Sequence, residues 1–106
     1  MADRIEVVPA QLREAAAGHQ RTSEYLRTVP SSHPAIQESL DSLGPIFSGL
    51  REAGRELLEL RRRCYQRQAD DHADLAENLR ASAALWEQHE QQASQSLRNV
   101  TELTDD

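Results

Sequence analysis

The sequence predicts an all-α protein, a helical hairpin whose second arm is one long C-terminal helix. Three features of the chain point there. From Phe47 to Val100, apolar or small side chains recur at steps of three and four, through Leu50, Gly54, Leu57, Cys64, Leu75, Leu79, Ser82, Trp86, Ala93 and Leu97. That spacing lines one face of a helix, a seam a second helix can cover. After Pro9, prolines fall only at 30, 34 and 45, with Gly44 beside the last, so the chain is punctuated in two places and then runs unbroken. Hydrophobic residues make up 38% of the 106, and the aromatics are Tyr25, Phe47, Tyr65 and Trp86 alone. Against about 45–50% in an ordinary globular chain, this composition suits a thin apolar stripe between paired helices better than a deep core.

Taken in order, residues 1–8 are expected to be frayed or extended. Pro9 fits a first helical position, and the Ala-rich run that follows it is strong helix former, giving a first helix over about 9–28. Gly18 costs roughly 1 kcal/mol against Ala at an exposed helical site, and its small size permits close approach of another helix. Residues 29–34, Val-Pro-Ser-Ser-His-Pro, break the helix, because each proline disfavours a helical residue before it and lacks an amide donor. Pro34 can open a short helix over about 34–43, with Ile36, Leu40 and Leu43 on one face. Gly44 ends it and Pro45 starts the long helix, about 45–100. The whole chain, 1–106, reads as a single hairpin domain with flexible ends at about 1–8 and 101–106.

The two arms differ in length. Folding back at Gly44-Pro45 sets residue i opposite about 89 − i, so Pro9 faces about Arg80. Leu85, Trp86, Ala93 and Leu97 then have no cover within the chain, and the C-terminal arm should bind something. A partner interface is expected at Leu79, Ala83, Trp86, Ala93 and Leu97.

Charge and residue chemistry narrow the function. The net charge is −6, and it is unevenly spread. Residues 51–69 hold six Arg against three Glu, whereas residues 70–106 hold two Arg against nine acids. An acidic C-terminal third argues against nucleic acid as a partner. Arg61, Arg62 and Arg63 lack interleaved aromatics and are expected to pair with Glu56 to Glu59 along the helix. All twelve basic residues are Arg, a bias of GC-rich coding. No stretch is apolar enough for a membrane span, and the start of the chain lacks the apolar region of a signal peptide. The single Cys64 excludes an intrachain disulfide and reads as a small residue on the seam.

No set of titratable groups converges as an active site would need. His72 and His89 are seventeen residues apart, roughly 25 Å along a helix, and cannot share a metal in one chain. Asp70, Asp71 and Asp74 around His72 read as a solvated acidic surface. Phosphate loops, Cys-x-x-Cys pairs and nucleophile elbows are absent. No catalytic residue, cofactor or metal site is expected.

The chain resembles the EspC-like type VII (ESX) secretion targets of actinobacteria, distant relatives of the small WXG-type secreted helical hairpins. The likeness covers about residues 5–100. It rests on the opening Ile5-Glu-Val-Val-Pro-Ala-Gln-Leu-Arg-Glu-Ala-Ala, on the size, on the Gly-containing central turn, and on the helix Leu75-Ala-Glu-Asn-Leu-Arg-Ala-Ser-Ala-Ala-Leu-Trp86. In the family that helix runs into a Tyr-x-x-x-Asp/Glu export signal. Trp86 and Glu90 stand at the matching positions, with Trp in place of Tyr. The substitution keeps a bulky planar face and loses the phenolic hydroxyl. Phe47-Ser48-Gly49 looks like a Phe variant of the relatives' Trp-x-Gly turn.

The resemblance implies a non-enzymatic helical protein exported by, or accessory to, a type VII system. It would act through helix pairing with a partner and through the motif Trp86, Glu90. The partner would be a second copy or a related small helical secreted protein, with the secretion machinery as a further contact and no stable membrane insertion. The protein would be cytoplasmic before export and secreted or cell-surface afterwards. The competing expectation is a cytoplasmic helical adaptor or regulator, with Trp86 in the core of a homodimeric coiled coil.

Overall fold

The computed structural model describes residues 7–104. Helix α1 spans Pro9–Thr28, a 3-10 turn follows over Val29–Ser32, and α2 spans His33–Asp41. A second 3-10 turn, Pro45–Phe47, leads into α3, Ser48–Thr104. The described residues contain no strand and form a helical hairpin about a long C-terminal helix, 93 × 28 × 15 Å overall. The first helix has the expected bounds, and the short and long helices differ from expectation by a few residues. Helix α3 continues through 101–104, which the sequence reading assigned to a flexible end. Residues 1–6 and 105–106 of those expected ends lie outside the described residues.

Pro9 opens α1 at its first turn, after Val8 in an extended conformation. There a missing N–H costs nothing, because that amide has no partner in a helix. At the next prolines the α-helix ends as expected, but the chain stays helical instead of opening into a loop. Val29 keeps right-handed helical angles, and the backbone tightens into the 3-10 turn with Pro30 in its first positions. Pro34 enters the first turn of α2, where it needs no donor. The two prolines thus offset an ascending arm without reversing it. Reversal falls to Gly44, whose φ of 88° is a left-handed conformation that only glycine adopts without strain.

The two arms meet through small side chains. Ala16 and Ser23 of α1, and Ala69, Ala76 and Ala83 of α3, are buried to within 1% of complete. The three α3 alanines are seven residues apart, so they stay on one side of the helix over two turns at a time. With only alanine methyls and one serine along this line, the backbones come close enough for Ser23 Oγ to donate to the Ala69 carbonyl at 2.7 Å. One turn away, the Nδ1 atoms of His19 and His72 lie 2.9 Å apart. Their ring centroids are 5.1 Å apart with planes 24° off parallel. The nitrogens are far closer than the centroids, so the rings meet edge to edge and share one proton as donor and acceptor. At the turn end, α2 seats Leu40 against Gly54, where an added Cβ would collide with Leu40 Cδ1.

This packing corrects the expected seam. Leu58, Tyr65, His72 and Leu79 flank the alanine line and are half-buried, whereas Leu57, Cys64 and Leu75 of the anticipated seam are exposed. The buried face lies about a quarter turn round the helix from the face with the larger apolar residues. Alanine wins because the helices gain contact along their whole length only if nothing bulky holds them apart.

Cross-helix ion pairs join Arg27 to Asp70 at 2.8 Å, Arg55 to Asp41 at 3.3 Å, and Arg13 to Glu87. All are exposed, so they set register more than they stabilise. Ser23 over Ala69 and His19 on His72 pair residue i with about 91–92 − i. This is two to three residues beyond the expected register, because the turn runs on through Phe47.

Two substitutions test this arrangement in urea unfolding followed by circular dichroism. Ala76→Leu should lose about 1–3 kcal/mol through overpacking. Gly44→Ala should lose about 1–3 kcal/mol, because a positive φ with ψ of 176° is a region essentially closed to a residue with a Cβ. An unchanged midpoint for Ala76→Leu would contradict the close approach of the arms.

Candidate partner interface on the C-terminal arm

Helix α1 begins at Pro9, and its outermost described tie to α3 is Arg13 on Glu87. Beyond that point α3 runs alone among the described residues. Every residue from 88 to 103 is exposed, roughly 25 Å of helix. The uncovered arm therefore starts near Gln88 and not at Arg80. Three of the expected interface residues, Leu79, Ala83 and Trp86, precede that limit, and the first two take part in the contact with α1. Ala83 is fully buried beneath α1 and closed to a partner, and Leu79 is half-buried at the same contact. Their place in the interior follows from the shifted register and from the alanine line, to which Ala83 belongs.

Trp86 sits where cover ends, 42% exposed. Its ring meets that of His89 edge-on, with centroids 6.2 Å apart and planes at 88°. Leu85 lines the same shallow hollow as Trp86 and His89. Glu90 is exposed one turn further, on nearly the same side of the helix as Trp86. The neighbouring acid is occupied: Arg13 Nη2 donates to Glu87 Oε2 at 2.8 Å. That hydrogen bond holds the Glu87 carboxyl below the usual range. Glu90 makes no ion pair among the described residues. Ala93 is exposed too, and Leu97 is 70% exposed. The arm thus carries an aromatic, an unpaired carboxylate and small apolar residues beyond the reach of α1. Along the line α1 would follow, Glu90, Gln91, Ser94, Gln95 and Arg98 form a polar hollow.

Phe47 and Gly49 lie at the turn end, at the opposite end of α3 from the arm. Phe47 closes the turn, its N–H donating to the Gly44 carbonyl at 3.2 Å. Gly49 faces open space, so its lack of a side chain is not demanded by packing, in contrast to Gly54. The signal for Gly54 was present in the sequence as a glycine inside a helical stretch opposite Leu40, but its need for smallness depends on where α2 lands.

Arg62 and Arg63 are paired locally, whereas Arg61 meets no carboxylate among the described residues. Arg62 donates to both Glu59 oxygens, at 2.7 and 3.0 Å, and Arg63 adds a third bond at 3.2 Å. Arg61 lies over the Tyr65 ring, 5.3 Å from its centroid. These arginines, led by the hydrogen bond from Arg62, pull the Glu59 carboxyl down to about 2. Cys64 is a free, exposed thiol. Among the described residues no three His, Cys, Asp or Glu side chains converge as metal ligands, and no helix is long and apolar enough to cross a membrane.

The family profile described as excreted virulence factor EspC, type VII ESX diderm, matches residues 1–99. The chain belongs to the EspC family. Its relatives include proteins described as uncharacterized from Mycobacterium bovis and from two strains of Mycobacterium tuberculosis. Each is 73% identical over 100 residues, a stretch covering 94% of this chain and 95% of the relative. No solved structure gives a significant match. As an EspC-family member, the chain is a type VII secretion-associated protein.

The Glu59 cluster gives a pH prediction. A carboxyl depressed in the folded state contributes stability above its unfolded range near 4.5 and loses it as pH falls towards about 2. A carbon-detected NMR titration should place the Glu59 midpoint near 2, and Arg62→Ala should raise it towards the ordinary carboxylate range. A midpoint unaffected by Arg62→Ala would break the assignment.

Proposed function

We propose that this EspC-family chain is a non-enzymatic helical protein exported by, or accessory to, a type VII secretion system, and that it acts through the outer part of α3. The observation that carries this reading is the edge of the cover that α1 supplies, where Trp86 stands half-exposed and Glu90 follows one turn on in the bare arm, an apolar and an anionic group on nearly the same side of α3. A half-exposed Trp at the rim of a covered region is the side chain that most often anchors a helix pairing, since it brings large area at small entropic cost. Glu90 supplies orientation: a free carboxylate one turn away selects a partner with a cation at that spacing. Docking through these two residues would present the chain to the machinery or to a helical partner in folded form. Before export the chain would be cytoplasmic; afterwards it would be extracellular or at the cell surface.

Export is measured by fractionating culture medium and cytosol with the secretion machinery intact and disrupted. The expected result is protein in the medium only when the machinery is intact, and retention in the cytosol in both strains would overturn export. Trp86→Ala and Glu90→Ala should each lower secreted protein by roughly ten-fold or more, with helix content unchanged by circular dichroism. Trp86→Tyr should retain export, because the flat apolar face remains. Normal export of a well-folded Trp86→Ala protein would show that the motif lies elsewhere.

A further inference from the structure

Helix α3 carries a second apolar strip that α1 leaves uncovered. Leu57, Cys64, Leu75, Trp86 and Ala93 lie along it, about a quarter turn round from the alanine line. Leu57 is 65% exposed and Leu75 41% exposed, and the Cys64 thiol is exposed. The strip runs from the turn end to the uncovered arm, so its occupant must itself be a long helix.

The order of residues on the strip names the occupant. Counted outward from Leu75, Cys64 and Trp86 are equidistant, and so are Leu57 and Ala93. Each pair sets a large side chain against a small one. A copy of the same helix, reversed and centred on Leu75, would therefore place Trp86 over Cys64 and Leu57 over Ala93, large into small along both halves. Charge selects the same direction. Two copies running parallel would set Arg61 against Arg61 in the middle of a stretch holding six Arg and three Glu. Reversed, they bring Arg61 to within one residue of Glu90, one of the acids that make no ion pair among the described residues. The uncovered arm of each copy then lies along residues 47–62 of the other.

We propose that α3 pairs through this strip with α3 of a second copy of the chain, antiparallel and with its twofold axis at Leu75. The proposal rests on the reading of the arm as a partner surface, and it identifies that partner.

The experiment uses the full chain. Light scattering after size exclusion should show a dimer. In a Cys64→Ser background, Leu75→Cys should cross-link nearly completely under mild oxidation, because the two introduced thiols meet at the axis. The native Cys64 should not, since its two copies would be separated by roughly 33 Å along the helix. Arg61→Glu should weaken the dimer about ten-fold, and adding Glu90→Arg to the same chain should restore it. A monomer at every concentration, efficient Cys64 cross-linking, or no restoration by the double change would overturn the proposal. A monomer that heterodimerises with another helical protein would do so as well. If the chain is a monomer yet Trp86→Ala still abolishes export, self-pairing fails and the role of the arm stands. If the cross-linked dimer forms and export survives both Trp86→Ala and Glu90→Ala, the dimer stands and the export role of the arm fails.

Discussion

Contact between α1 and α3 along a line of methyl groups is the constraint on which the rest of the structure depends. Ala16 and Ser23 meet Ala69, Ala76 and Ala83 with no large side chain between them. This closeness lets a serine hydroxyl reach a backbone carbonyl across the helix pair and lets two imidazoles touch edge to edge. It also sets register, since each small residue admits the opposing backbone at one height only. The ion pairs at Arg13, Arg27 and Arg55 then fasten a register that the alanines have already chosen.

The same choice empties the core of large apolar groups and leaves them outside. Leucines at 57, 60, 75, 85 and 97 all remain exposed. A two-helix hairpin held by alanine methyls buries little area for its length, and below a certain burial a small chain gains from a partner. Exposed leucine along a helix is therefore coupled to the thinness of the interior, and both follow from one packing decision. Arm length adds to this. Because α1 starts at Pro9 while α3 runs to Thr104, the end of α3 carries its surface past the cover that the other described residues supply.

Membership of the EspC family places the chain in type VII secretion, and the geometry shows which side chains the end of α3 leaves open. Trp86 stands at the boundary between covered and bare helix, with Glu87 held by Arg13 on one side and Glu90 free one turn on. Of two adjacent acids, the fold thus occupies one and leaves the other. A motif read as letters would not separate their roles; the position of Arg13 does.

Helix boundaries, the reversal at Gly44 and the unequal arms could be read from the chain, because proline, glycine and three-four spacing act locally and their consequences do not depend on distant residues. Pairing of Arg62 and Arg63 with Glu59 was legible for the same reason, as neighbours on one helix. The buried face was not. Two strips a quarter turn apart on α3 both satisfy helical periodicity, one rich in leucine and one in alanine, and periodicity gives no ground for choosing between them. Nor could the chain alone show that Ala83 is interior or that cover reaches Glu87. Those outcomes rest on how near two backbones come, a quantity that exists only once α1 lies on α3, and at that distance the smaller side chains fit.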